Sequence, residues 1–125
     1  MTVLDSSALL AFLFDEPGGS RVATVVGASR MSTVNLAETL AVLERQQREP
    51  GPVLQLLRGL GLAFVPFDED LAERTAALEG VTRGLGVSLG DRACLALAMR
   101  EGCIALTADR AWSRLVLPIQ IELLR

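Results

Sequence analysis

Short apolar runs alternate with polar or glycine-containing breaks along the whole chain, and the runs are of two kinds. Some are three to six residues long and rich in β-branched side chains; the others are longer, with apolar positions at helical spacing. The first, at residues 2–4, predicts a strand that ends in Asp5-Ser6-Ser7, with a helix over residues 8–14 after it. Asp15-Glu16-Pro17-Gly18-Gly19 breaks that helix, and residues 20–26 read as a second one. Residues 30–33 predict a strand and 34–47 a helix, with Leu36, Leu40 and Leu43 on one face. Pro50-Gly51-Pro52 reads as a stop, 53–60 as helix and 62–66 as a strand closed by Pro66. Phe67-Asp68-Glu69-Asp70 opens a long helix through residue 79, with acids crowded where the helix dipole favours them. Gly84 and Gly86 mark a loop. Ser88-x-x-Asp91 resembles a capping box ahead of a helix at 92–100, and Gly102 suits its C-cap. A strand at 103–106, a short helix at 109–115 and a last strand at 118–123 complete the series.

Strands that alternate with helices, each strand short and almost wholly apolar, are the pattern of a parallel sheet covered on both faces. The predicted class is α/β with three layers, α/β/α. At 125 residues the chain fits one domain, residues 1–125. Half of the residues are hydrophobic and only 4% are aromatic, so the core is expected to be aliphatic. No apolar run approaches the ~20 residues that span a bilayer. Asp5 precedes the first long apolar run and no basic residue does, the wrong flank for a secretory signal. A cytoplasmic protein with no membrane partner is therefore expected, and in that setting Cys94 and Cys103 read as small buried residues rather than a disulfide.

The missing residue types narrow the chemistry. The chain has no His, no Tyr and no Lys, and its twelve basic residues are all Arg. Imidazole bases, His-ligated zinc, phosphate-loop lysines and Schiff bases are excluded with them. Catalysis is left to carboxylates, hydroxyls or a metal ion that carboxylates carry. Ligands of open α/β sheets bind beyond the carboxyl ends of the strands. Asp5 and Asp109 fall just after predicted strands, Glu38 early in the helix after residues 30–33, and Asp91 at the start of a helix. Helices that cover a parallel sheet run antiparallel to its strands, so all four acids can collect on one edge.

Singly, each acid is better explained as a helix cap or dipole partner, favoured by ~0.3–1 kcal/mol. Asp68 and Asp70 occupy the same kind of position and serve as the comparison. Together the four are costly: two unit charges ~4 Å apart repel by about 4 kcal/mol at an effective dielectric of 20. Such a cluster needs cations or shared protons, and an all-oxygen donor set favours Mg²⁺ or Mn²⁺.

Four segments carry a family resemblance: Val3-Leu4-Asp5-Ser6-Ser7-Ala8-Leu9, Ser32-x-Val34-Asn35-Leu36-Ala37-Glu38, Leu89-Gly90-Asp91-x-x-Cys94-Leu95-Ala96-Leu97-Ala98 and Leu106-Thr107-Ala108-Asp109-Arg110-x-Trp112. In order and with their flanks they closely resemble the PIN-domain nucleases, and most nearly the VapC toxins of VapBC toxin–antitoxin pairs. Residues 48–84 add little to the likeness. The resemblance implies a five-stranded parallel sheet and a Mg²⁺-dependent endoribonuclease. Asp5 and Asp91 would be the principal metal ligands; Glu38 and Asp109 would complete the shell, hold a second ion or orient the attacking water. Ser7 and Thr107 would hydrogen-bond a ligand carboxylate or substrate, or cap helices, and Asn35 would support or cap.

A net charge of −3 is unusual for a protein that binds RNA. Without the four site acids the balance is 11 acids against 12 Arg. Arg92, Arg110 and Arg114 lie near Asp91 and Asp109 in sequence and are the candidates for RNA-phosphate contact. The mean hydropathy of +0.40 with few aromatics predicts an exposed apolar face. Resemblance to VapC assigns such a face to a homodimer or a cognate antitoxin. The alternatives are a PIN nuclease of RNA processing or structured DNA and a catalytically silent PIN-like interaction module. A phospho-acceptor receiver domain also sets acids at strand ends but needs a lysine.

Overall fold

The computed structural model describes residues 1–125. Five strands form one sheet in the order β3-β2-β1-β4-β5, every pairing parallel. They are β1 (Thr2–Leu4), β2 (Ser29–Ser32), β3 (Ala63–Val65), β4 (Ile104–Thr107) and β5 (Ile121–Leu123). The helices are α1 (Ser6–Leu13), α2 (Gly19–Val25), α3 (Thr33–Arg45), α4 (Pro50–Leu60), α5 (Glu69–Ala77), α6 (Glu79–Thr82) and α7 (Leu89–Glu101). Two 3-10 turns, Val26–Ala28 and Arg110–Arg114, join them.

Side chains alternate across the strands and divide the core in two. Val3 and Ala105 pack with Leu71 and Leu78 and with α7, while Leu4, Met31 and Leu106 pack on the other face with Ala8, Leu9, Val22 and Leu57. Arg30 is in register with Val3, and its guanidinium meets Glu101 at the end of α7 at 2.9 Å. The three-layer α/β/α class and the five-stranded parallel sheet are as expected. Cys94 and Cys103 are free and buried, and Trp112 closes the core beneath the 3-10 turn after β4.

Several boundaries differ from the sequence expectation. Pro50-Gly51-Pro52 is not a stop; the break falls before it, with Gln47 at φ 57°, and Pro50 opens α4. A proline in the first helical turn forgoes an N–H that has no partner there anyway. The long helix expected through residue 79 is two: α5 ends at Ala77, and α6 is a separate turn. The last strand is only three residues, because residues 115–120 run irregularly over the core.

The topology fixes where a ligand can sit. From β1 the chain moves outward through β2 to β3, then crosses back so that β4 lies on the other side of β1. The crevice at the carboxyl ends of β1 and β4 is the topological switch point of the sheet.

Candidate active site

Asp5 is the first residue beyond β1 and the N-cap of α1, and its backbone N–H donates to the Leu106 carbonyl of β4. The residue is 2% exposed. The backbone N–H of Ala8 donates to Oδ1 at 2.8 Å, the Thr107 hydroxyl to Oδ2 at 2.6 Å, and the Ser7 hydroxyl reaches both oxygens at 2.7 and 2.9 Å. Ser7 and Thr107 also accept: the Ala108 N–H donates to Ser7 Oγ and the Asp109 N–H to Thr107 Oγ1. The two hydroxyls thus join the loop after β4 to the carboxylate after β1. Burial pushes the Asp5 carboxyl from 3.8 up to about 6; the bonds from Thr107, Ala8 and Ser7 oppose that rise and the Asp91 charge adds to it.

Glu38 lies on the second turn of α3. Its Oε1 accepts from Asn35 Nδ2 at 2.9 Å and from the Ser6 hydroxyl at 3.1 Å. Asn35, fully buried, also donates to the Gly90 carbonyl at 3.0 Å and so ties α3 to the first turn of α7. Asp91 closes the capping box of α7: Ser88 N–H donates to its Oδ2 at 2.9 Å and its own N–H donates to Ser88 Oγ at 3.1 Å. Its carboxyl is raised by burial, with the charges of Asp109 and Glu38 adding and the Ser88 bonds opposing. Asp109 caps the 3-10 turn, accepting from Ala111 N–H at 3.0 Å through Oδ1.

Asp91 therefore lies within reach of the charges of Glu38 and Asp109, and its own charge reaches Asp5. Cys94, one turn along α7, lies under the group; burial raises its thiol well above the ordinary value, with Asp5, Asp91 and Glu38 adding. Glu38 Oε2, Asp91 Oδ1 and Asp109 Oδ2 accept no hydrogen bond from the protein. Each carboxylate is held by one oxygen and keeps the other for something else. No three of the acids close around a single point as a ready-made metal cage. The donor set, all hard oxygen with one unpartnered atom on each of three side chains, fits a divalent cation such as Mg²⁺ or Mn²⁺.

The comparison acids behave differently. Asp68 caps α5 through the Leu71 N–H at 2.9 Å, and Asp70 pairs with Arg74 at 2.9 Å, which lowers its carboxyl. Of the arginines proposed for phosphate contact, Arg92 is engaged elsewhere: its Nη1 donates to the Val87 carbonyl at 3.0 Å and lies 3.3 Å from Glu79. Adjacency to Asp91 in sequence misleads here, because successive helical residues point about 100° apart. Arg110 and Arg114 are exposed and have no acidic partner. Two contributors, Ser6 and Gly90, carry no pattern in the sequence that assigns them a role. Ser6 is adjacent to Ser7 and indistinguishable from it by residue type, and the one available signal for Gly90 is a glycine inside the first turn of a helix.

The PIN domain family matches the sequence over residues 2–116. The fold is similar to a toxin–antitoxin complex from Klebsiella pneumoniae, with TM-score 0.74 and 17% identity over 97% of this chain and 100% of that one. It is similar to DNA-bound VapBC from Salmonella typhimurium, with TM-score 0.74 and 19% identity over 99% and 98% of the two chains. A Mycobacterium tuberculosis VapC toxin that cleaves the sarcin–ricin loop aligns with TM-score 0.70 and 16% identity over 90% and 93%. The curated proteins give no match. With the family model matched over residues 2–116 of 125, the chain belongs to the PIN domain family.

Proposed function

We propose that the protein is a metal-dependent endoribonuclease, the toxin of a toxin–antitoxin pair. The observation that carries this reading is the hydrogen-bonded linkage of the segments bearing Asp5, Glu38, Asp91 and Asp109 at the switch point, with one unpartnered oxygen each on the last three. The toxin assignment draws on the fold likeness to toxin–antitoxin proteins, and RNA as substrate on the neighbour that cleaves the sarcin–ricin loop.

Asp5, Glu38, Asp91 and Asp109 would hold Mg²⁺ or Mn²⁺. When bound, such an ion acidifies water and neutralises charge on the scissile phosphate. The remaining work falls to the chain. Ser7 and Thr107 keep Asp5 oriented, and Asn35 and Ser6 present Glu38 with one oxygen free. Asp109 and Glu38 would complete the metal shell, hold a second ion or orient the attacking water. Arg110 and Arg114 take the RNA backbone as exposed cations. An apolar hollow of about 440 Å³, with Val81 and Val116 exposed at its rim, offers a surface for a second copy in a homodimer. A cognate antitoxin would cover apolar helices near the acidic site. No helix is long and apolar enough to cross a membrane.

The deciding experiment is RNA cleavage with Mg²⁺, with Mn²⁺ and with chelator, wild type beside Asp5→Asn and Asp91→Asn. Cleavage that needs the cation and is lost in both variants is the expected result. A fully active Asp91→Asn protein would remove the assignment. Inactive but correctly folded wild type under all three conditions would favour the silent interaction module.

A further inference from the structure

Gly90 lies in the first turn of α7, is buried, and has none of the usual reasons to be glycine. Its φ is not among the positive values of the chain, so the backbone does not demand it. Glycine is among the poorest helix formers, so the local sequence would favour almost any other residue. What distinguishes the position is space. A Cβ at Gly90 would fall 2.3 Å from Glu38 Oε2 and 2.6 Å from both Glu38 Cδ and Oε1. The carboxylate therefore lies across the Gly90 Cα, in the volume a methyl group would fill. Gly59 and Gly80, also helical, have nothing within 4 Å of the same atom.

We infer that Gly90 is a positioning residue, whose missing side chain seats the Glu38 carboxylate against the first turn of α7 beside Asp91. Asn35 completes the seat: one Nδ2 donates to Glu38 Oε1 at 2.9 Å and to the Gly90 carbonyl at 3.0 Å. Ser6 holds the same Oε1 from α1. Clamped by that one oxygen, Glu38 lays Oε2 against the Gly90 Cα, where it accepts no hydrogen bond from the protein. The Leu89-Gly90-Asp91 segment thus supplies one acid directly and fixes the place of another that comes from a different helix. The inference rests on the metal-site reading proposed above.

Its test compares wild type, Gly90→Ala, Glu38→Ala and the double variant, with Gly59→Ala as the helix-propensity control. Mn²⁺ affinity is read by electron paramagnetic resonance, thermal stability by melting, and RNA cleavage alongside. Support groups around a metal site typically change affinity or activity ~10–100-fold, and Gly90→Ala is expected to lower Mn²⁺ affinity by about that much while Gly59→Ala leaves it unchanged. In the Glu38→Ala background the same change should have no further effect. Should the added methyl lower the melting temperature instead of moving the carboxylate, Glu38→Ala is expected to restore it, which reports the same coupling. Mn²⁺ affinity and melting temperature that respond to residues 90 and 38 independently would overturn the inference alone. Wild type that binds no Mn²⁺ would overturn the metal-site reading and this inference with it.

Discussion

A carboxylate as enclosed as Asp5 destabilises the fold whenever it is ionised and uncompensated. Its pKa, raised from 3.8 to about 6, means that the folded state binds the proton more tightly than the unfolded chain does. The associated stability is complete below pH 3.8 and is lost as pH rises through about 6. A shift of this size corresponds to about 3 kcal/mol. Metal-free wild type is therefore expected to lose stability across that window, with Asp91, raised in the same direction, contributing less because it is only partly buried. Asp5→Asn should flatten the profile and be the more stable protein at neutral pH. The Asn amide can still accept from the Ala8 N–H, while the Ser7 and Thr107 hydroxyls can turn to accept from its NH₂. Melting curves from pH 4 to 8 without divalent ions would check this; parallel profiles for the two proteins would contradict it.

At the scale of elements, two similar helix starts carry acids with different expected roles. Asp68 and Asp91 both bond to backbone N–H groups at helix starts, and both sit in first turns that look alike in sequence. Asp68→Ala should cost ~1 kcal/mol of stability, the usual worth of an N-cap, and leave RNA cleavage intact. Asp91→Asn should cost comparably little stability and abolish cleavage, a contrast that one melting series and one cleavage assay resolve. The 3-10 turn after β4 carries Arg110 and Arg114 as well as the Asp109 cap. Replacing both arginines with Ala should weaken RNA binding without sequence preference and lessen its salt dependence by about two phosphate contacts, measurable by titration at several ionic strengths.

At the scale of the molecule, the site belongs to no single element. β1, α3, α7 and the turn after β4 each bring one acid, and only the sheet order places β4 beside β1 so that Thr107 reaches Asp5 across 102 positions of sequence. A cation bound among them would bind the folded state alone, and linkage then raises stability by ~2.7 kcal/mol at a hundredfold excess over its dissociation constant. Mg²⁺ or Mn²⁺ is therefore expected to raise the melting temperature of wild type and not of Asp91→Asn. Equal shifts in both proteins would place the binding elsewhere.

The sequence by itself determined the layered α/β class and pointed to four acids as candidates for one site. Hydrophobic periodicity is local, and a chain without His, Lys or Tyr leaves carboxylates as its main reactive groups. Tertiary structure decided what local pattern does not encode. It turned Arg92 toward Glu79 and Val87, made Pro50 the first residue of a helix, separated Asp68 from Asp91, and laid Glu38 over Gly90. Each of these depends on which helix packs against which strand. That is set by the burial of two apolar faces of one sheet, a property of the folded chain rather than of any segment in it.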